Sequence, residues 1–260
     1  MPIPTEKILE AAARAGFDSE LRVVSMLREA GWSVDQNVYY IDKDEKKGRE
    51  LDIHAYKIFS DLEGIELQCY VQFCVEVKKT SRPFIFFTNQ RRRYEGGSGF
   101  ALLNWRNKIT KHVLRYEDIE QARPMASPER MARSYCDLSG KTEQIQGAVL
   151  SAVKGAIHYR DGCNETYSEK SRDICFFIPM IVVDGFLYEC FFEGGSSELK
   201  AEPVNSVVYM QNYMSESYGK ISTRVTVITS SALPAFLQSC HDWGAHMLSV
   251  MVQNRDKSDW

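Results

Sequence analysis

The stretch FCVEVKKT, residues 73–80, places a carboxylate and an ammonium side by side at the end of an apolar strand. Because side chains alternate between the two faces of a strand, Phe73 and Val75 lie on one face, whereas Glu76 and Lys78 lie on the other. A carboxylate can bind a metal ion, and an ammonium can stabilise negative charge that develops on a phosphate. The pair therefore marks a candidate site for phosphodiester chemistry.

A second acidic strand precedes this one in the chain. Residues 49–59, RELDIHAYKIF, alternate as a strand does, and a short loop around Gly64 leads to the strand 68–79. An antiparallel pair centred on Gly64 places Asp52 directly opposite Glu76. Their Cβ atoms would then be about 5 Å apart, and like charges at that separation destabilise a sheet.

The same register separates polar from apolar side chains. On the apolar face it predicts the pairs Leu51 with Val77, Ile53 with Val75, and Ala55 with Phe73. His54 falls opposite Cys74, where we expect it to pack beside the site without acting as a ligand. A slip of two residues would keep the same separation, so the register remains open at this point.

Three explanations account for two opposed carboxylates. One acid can have a raised pKa, or a bound cation can offset the repulsion. Two carboxylates with a main-chain carbonyl and waters form an oxygen site that suits Mg²⁺ or Mn²⁺. Alternatively, the polar face is simply a solvated face of an antiparallel sheet, with cross-strand ion pairs that have no catalytic role.

The remaining pattern predicts an α/β or α+β fold with a mixed sheet. Helices are predicted at 17–31, 100–116, 142–159, from about 232, and at 241–253. Strands are predicted at 34–41, 49–59, 68–79, 84–87, 174–183, 186–192, 206–210 and 223–229. Asp184-Gly185 predicts a hairpin between the strands on either side of it. Residues 120–140 have no clear assignment.

These residues resemble the PD-(D/E)xK nuclease superfamily, which has the restriction-endonuclease-like fold. The match runs in family order over roughly residues 17–90. Glu20 corresponds to a helical acid that supports the metal through water, Asp52 to the motif aspartate, and Glu76-Val77-Lys78 to (D/E)xK. The chain departs from the QxxxY helix motif of some members, because neither Gln144 nor Gln146 has a tyrosine four residues later.

The resemblance implies a metal-dependent nuclease that hydrolyses nucleic-acid phosphodiester bonds. Asp52, Glu76 and the carbonyl of Val77 would bind Mg²⁺, with Mn²⁺ as a substitute, and Lys78 would act on the attacking water or the transition state. Residues 1–165 would form the restriction-endonuclease-like core, and 166–260 a β-rich C-terminal extension continuous with it. The resemblance also suggests defence against foreign nucleic acid. The alternative is a catalytically inactive module of the same fold that binds nucleic acid or a protein.

A loop rich in arginine and glycine is the best candidate for contact with nucleic acid. Arginine can bind phosphate and tyrosine can stack on a base. The predicted contact residues are Arg91, Arg92, Arg93, Tyr94 and Lys79. An exposed loop with no such role explains the segment equally well.

Composition limits the class of protein. The chain has 260 residues and a net charge of −3, so contact with nucleic acid must come from a local patch. The seven cysteines show no paired spacing, and residues 1–16 lack the apolar core of a signal peptide. We therefore expect a cytoplasmic protein that does not enter a membrane. Its expected partner is nucleic acid, DNA in preference to RNA, with a homodimer or an activating partner as further options.

Overall fold

The computed structural model describes residues 3–61, 67–90, 103–106, 114, 118–119, 124, 129–167, 172–194 and 196–254. Within these residues the chain forms one mixed sheet of eleven strands with helices on both faces. The predicted α/β class with a mixed sheet is therefore confirmed.

The elements are numbered here in chain order over the described residues. The helices are α1 (Thr5–Ala15), α2 (Phe17–Glu29), α3 (Glu143–Thr166) and α4 (Leu233–Asn254). The strands are β1 (Ser33–Asp42), β2 (Lys47–Ser60), β3 (Gln68–Lys79), β4 (Phe84–Gln90), β5 (Leu103–Arg106), β6 (Arg130–Asp137), β7 (Asp173–Asp184), β8 (Leu187–Phe192), β9 (Leu199–Pro203), β10 (Ser206–Ser215) and β11 (Gly219–Thr229).

The sheet is organised around β7. Its strand order is β1-β2-β3-β7-β11-β10-β6-β4-β8-β9, and β5 pairs with the first half of β7. Strands β3, β7 and β11 are parallel to one another, and β7 pairs with β3 from Asp173 to Asp184. Since helices cover both faces at this point, β7 is an almost continuous apolar run with nearly every residue buried.

Two cores lie on opposite faces of the sheet. The α2/α4 core holds buried side chains of α2 and α4 together with Ile53, Phe73, Val75 and Val77. The α3 core holds the apolar face of α3 together with Leu51, Cys74 and Phe177. The polar face predicted for β3 therefore looks toward α3.

The predicted pairing of β2 with β3 is confirmed. The ladder runs from Ile53 opposite Val75 to Ser60 opposite Gln68, and it includes His54 opposite Cys74. The connecting residues 62–66, with Gly64, lie outside the described part. The ladder begins at Ile53, so Asp52 stands where β2 leaves β3.

The expectation that Leu51 shares the apolar face of Ile53 and Val77 is wrong, because the β1–β2 hairpin changes face. Leu51 packs in the α3 core, although Ile53 packs in the α2/α4 core. In β1, Val34 and Val38 likewise pack on opposite faces.

The change of face occurs at one level of the hairpin. Gln36 pairs with Ile53, and Val38 pairs with Leu51. The change of face therefore occurs between these two pairs, at Asn37 and Asp52. Asn37 has a φ of 50°, a left-handed conformation that asparagine adopts more readily than most residues. The switch thus places Asp52 between two parts of β2 that pack into opposite cores.

Other local expectations are wrong because long-range contacts override the local pattern. Residues 103–106, predicted as part of a helix, form β5 against β7, and the predicted helices after 232 are the single helix α4.

The Asp184-Gly185 hairpin does not form, since β8 pairs with β4 and β9. A Cβ at Gly185 would lie 2.5 Å from the Thr80 carbonyl oxygen, so this glycine permits a close crossing of two chain segments.

Strands from both sides of the predicted boundary at residue 165 lie in the same sheet. Strands β7 and β11 stand between β3 and β10, next to the strand that carries Glu76. The division into a nuclease core and an extension remains a prediction. In the described sheet, the segment after 166 supplies central strands.

Candidate functional site

Asp52 reaches the end of β3 with its side chain. At the point where the β2–β3 ladder has ended, the N–H of Val77 donates a hydrogen bond of 2.7 Å to Asp52 Oδ2. This contact fixes the Asp52 carboxylate against the Glu76-Val77-Lys78 segment. A hydrogen bond to the charged carboxylate is the stronger, charge-assisted kind.

Three oxygens converge on the ammonium of Lys78. Its Nζ lies 2.7 Å from Glu76 Oε2, 3.2 Å from the Val77 carbonyl oxygen and 3.5 Å from Asp52 Oδ2. These oxygens belong to the three residues that the sequence predicts as metal ligands. The structure therefore brings together Asp52, Glu76, Val77 and Lys78 as the pattern required.

Burial sets the electrostatics of this group. Glu76 is 6% exposed, and its burial raises the pKa of the carboxyl group above the ordinary value. For Lys78, burial by itself favours a lower pKa, but Glu76 and Asp52 outweigh it and the pKa of the ammonium is raised. Lys78 consequently remains a cation at neutral pH.

Glu20 faces the same site from α2. Burial and the negative charge of Asp52 raise the pKa of the Glu20 carboxyl group, and Lys78 opposes the shift. The first turn of α2 is attached to the end of β7, because Ser19 Oγ donates a hydrogen bond of 2.5 Å to Asp184 and Arg22 lies 2.7 Å from the same oxygen. These bonds hold Glu20 beside the carboxylates of the sheet.

A cleft of about 500 Å³ opens beside the carboxylates, between the β1–β2 hairpin and α3. Its charged lining is mainly acidic, with Asp42, Glu45, Glu50, Asp52 and Glu76 against Arg49 and Lys154. A lining of this sign attracts cations and repels a phosphate backbone unless a cation intervenes.

Ser151 of α3 completes the environment of Glu76, and the sequence did not reveal it. Its hydroxyl donates a hydrogen bond of 2.6 Å to Glu76 Oε1, while Lys78 holds the other oxygen. Helix 142–159 was predicted, but a serine on a helix surface carries no signal of its own. The only sequence indication is a hydroxyl within the otherwise apolar run AVLSAV.

The set of donor atoms is small, but its oxygens suit a hard divalent cation. In the described residues, no group of three or more His, Cys, Asp or Glu side chains converges as a metal site. Two carboxylates and a main-chain carbonyl do converge, and they already surround a cation, the Lys78 ammonium. Oxygen donors of this type suit Mg²⁺, which retains several of its waters.

The residues predicted to contact nucleic acid have different outcomes. Arg91, Arg92, Arg93 and Tyr94 lie outside the described residues. Lys79 lies at the end of β3, where its ammonium is 3.0 Å from both carboxylate oxygens of Asp18. Its role in contact with nucleic acid remains a prediction.

His54 makes its contacts with β3 and α3. Its Nε2 lies 3.0 Å from Gln72 Oε1, and its ring stacks on Tyr159 of α3 at 3.8 Å between centroids. Burial lowers the pKa of His54, so the ring favours the neutral form.

Comparison with family models, with curated proteins and with solved structures finds no match to this chain. No helix in the described part has both the length and the apolar character needed to cross a bilayer.

Proposed function

We propose that this protein is a metal-dependent nuclease of the restriction-endonuclease-like type, which hydrolyses phosphodiester bonds in nucleic acid. One observation carries the proposal. Asp52 Oδ2, Glu76 Oε2 and the Val77 carbonyl oxygen all lie within 3.5 Å of the Lys78 ammonium, at the end of two adjacent strands. The sequence resemblance assigns the metal and the catalytic lysine to these same residues.

The proposed roles combine this geometry with the roles that the resemblance implies. Asp52, Glu76 and the Val77 carbonyl would hold Mg²⁺ or Mn²⁺, and Glu20 would support it through water. A bound cation of this kind polarises a phosphoryl oxygen and lowers the pKa of a water molecule. Lys78, protonated and within reach of the same oxygens, would stabilise negative charge on the phosphate as water attacks phosphorus in line.

The electrostatics of the cleft favour a cation-dependent reaction. Several carboxylates line the cleft, so a polyanionic substrate approaches favourably only when positive charge offsets them. DNA is the proposed substrate in preference to RNA. A cytoplasmic location and a role in defence against foreign nucleic acid belong to the same proposal and rest on the resemblance.

The test is cleavage of plasmid, single-stranded DNA and RNA with Mg²⁺, with Mn²⁺ and with a chelator. Lys78→Met should reduce the cleavage rate by about 10²-fold or more, because it removes a cation that stabilises the transition state. Lys200→Met is the matched control, since Lys200 ends the exposed Glu198-Leu199-Lys200 segment, which has the same ExK spacing. That variant should cleave as the wild type does.

Metal binding separates the enzyme from its main alternative. A nuclease should show a thermal shift with Mn²⁺ that Asp52→Ala abolishes. A protein that binds nucleic acid but shows neither cleavage nor a manganese shift would instead be an inactive module of the same fold. Equal cleavage by the wild type and Lys78→Met in a clean preparation would contradict the proposed mechanism.

A further inference from the structure

A buried lysine on α3 lines the cleft and is bound to two carboxylates at the end of β1 and in the β1–β2 turn. Lys154 Nζ is 2.9 and 3.1 Å from the two oxygens of Asp42 and 3.0 Å from Asp44 Oδ2. The side chain of Lys154 is 8% exposed and that of Asp42 is 5% exposed. A pair buried this deeply holds its partners firmly, because separating them leaves uncompensated charges away from water.

Two tyrosines from the β10–β11 hairpin complete this group. The rings of Tyr213 and Tyr218 lie 5.2 and 5.1 Å from Lys154 Nζ. The Tyr213 hydroxyl donates to Asp44, and the Tyr218 hydroxyl lies 3.5 Å from Asp42 Oδ1. The hairpin after residue 206 therefore contacts the turn that borders the cleft. We call Lys154, Asp42, Asp44, Tyr213 and Tyr218 the Lys154 cage.

The outer half of β2 needs such an anchor. The β2–β3 ladder begins at Ile53, so residues 47–51 pair with β1, which is the edge strand of the sheet. Asp52 lies at the junction of the two halves. The bond from Val77 N–H ties the Asp52 carboxylate to β3, and the position of the Asp52 backbone also depends on how this outer half of the hairpin is held.

Helix α3 contacts the outer half of the β1–β2 hairpin at three points. Gly155 lets Leu51 approach so closely that a Cβ on the glycine would be 3.2 Å from Leu51 Cδ2. Ser151 Oγ lies 3.4 Å from the Glu50 carbonyl oxygen, and Lys154 binds Asp42. Ser151 also binds Glu76, so one face of α3 contacts both strands that carry the candidate metal ligands.

We propose that Lys154 is a positioning residue, and that the β10–β11 hairpin acts through the Lys154 cage to set the distance between Asp52 and Glu76. This inference rests on the proposed function, since it assigns a role to the cage in the geometry of the metal site. It also gives residues after 206 a part in that site.

The test measures Mn²⁺ affinity directly, by titration of the full chain followed by electron paramagnetic resonance of free Mn²⁺. Lys154→Met keeps an unbranched apolar stem but removes the charge that binds Asp42 and Asp44. Lys154→Met/Asp42→Asn also removes the buried charge left behind, so it tests the role in a chain with a milder folding defect. The control is Tyr209→Phe, at a tyrosine that shares β10 with Tyr213 but lies outside the cage, where its ring packs edge-on against Tyr135.

Loss of the cage should raise the Kd for Mn²⁺ about tenfold, the lower end of the effect of residues that orient metal ligands. The Kd is measured below the melting temperature of each variant, so that a loss of stability alone leaves it unchanged. Tyr209→Phe should bind Mn²⁺ as the wild type does.

The outcomes separate the two proposals. If the folded double variant binds Mn²⁺ as tightly as the wild type, the cage is only structural and the positioning role is wrong, while the nuclease proposal stands. If the wild type binds no Mn²⁺, the metal site itself is wrong, and the positioning role is overturned with it.

Discussion

Glu76 is held at both oxygens, and this sets its chemistry. Lys78 binds Oε2 and Ser151 binds Oε1, so the carboxylate has one orientation in the cleft. The burial that raises the pKa of Glu76 also strengthens these two interactions, because there is little water to compete. In the proposed metal site, a carboxylate held in one orientation would be preorganised for its ion.

Ser151→Ala should weaken the site without unfolding the chain. Alanine is favourable in a helix, but the variant removes the hydrogen bond that orients Glu76, so Mn²⁺ affinity and cleavage rate should each fall about tenfold. The control is Ser25→Ala, which removes a 2.9 Å hydrogen bond from a helix serine to Glu29 on the surface. Ser151→Thr keeps the hydroxyl and should restore binding. Equal Mn²⁺ affinity in Ser151→Ala and wild type would show that Ser151 does not orient Glu76.

His54 should make the stability of the fold depend on pH. Burial lowers the pKa of His54 in the folded state, whereas the unfolded state keeps a value of about 6.5. The unfolded chain then binds more protons below that pH, so stability is complete above pH ~6.5 and falls as the pH drops toward the folded pKa. Gln72 and Asp35, which face the ring, oppose the shift only in part.

The measurement is the urea midpoint from pH 7.5 down to 5.5, a window above the titration of ordinary carboxyl groups. His54→Asn should be less stable at pH 7.5, because it loses the stacking on Tyr159, but its midpoint should depend less on pH. His158, whose pKa burial also lowers, retains some of the dependence in the variant. Parallel pH curves for wild type and variant would contradict the assignment to His54.

At the scale of elements, α4 packs on β2 through a glycine. A Cβ at Gly244 would lie 2.2 to 2.8 Å from atoms of the Phe59 ring, a distance that forces a shift of the helix or the ring. Gly244→Ala should therefore destabilise the fold by about 1–3 kcal/mol, the usual cost of overpacking a core. The measurement is the free energy of unfolding from urea titration.

Gly162→Ala supplies the opposite expectation on another helix. A Cβ at Gly162 of α3 meets nothing within 4 Å, so alanine gains helix propensity at no packing cost. We expect a stabilisation of about 0.5–1 kcal/mol. If both alanines change stability in the same direction, close packing of α4 on Phe59 is not the reason for the glycine.

At the scale of the whole molecule, β7 makes the two parts of the chain interdependent. It pairs with β3 along twelve consecutive residue pairs, from Gln68 with Asp173 to Lys79 with Asp184. The strand that carries Glu76 and Lys78 thus has its full-length neighbour on the far side of the predicted boundary at residue 165. Both cores also contain β7 side chains, such as Phe176 and Phe177.

A fragment of residues 1–165 should therefore not fold by itself. It would expose one edge of β3 and lose α4, which covers the α2/α4 core. Circular dichroism and urea titration should show no cooperative transition for the fragment, whereas the full chain should show one. Co-expression with 166–260 should restore a folded complex. Cooperative unfolding of 1–165 alone would support the division into a core and an extension.

The sequence by itself predicted the strands β2 and β3 and the grouping of Asp52, Glu76 and Lys78. It also predicted the register over Ile53–Ser60, but a slip of two residues stayed open until the structure confirmed the pairing. Alternation of side chains and one short connection are local features, so they can be recognised without knowledge of the rest of the fold. The same reasoning failed at Leu51, because the change of face at Asn37 and Asp52 depends on α3, which packs against that half of the hairpin.

Only the tertiary structure decided which distant residues complete the site. Ser151 is 75 residues from Glu76, Lys154 is 112 from Asp42, and Tyr213 is 169 from Asp44. A hydroxyl on a helix or a tyrosine on a strand has no spacing that points to such a partner. The sheet order also places β7 beside β3. Without β7, the N–H and C=O groups along that edge of β3 would have no strand to pair with, so this contact requires both parts of the chain.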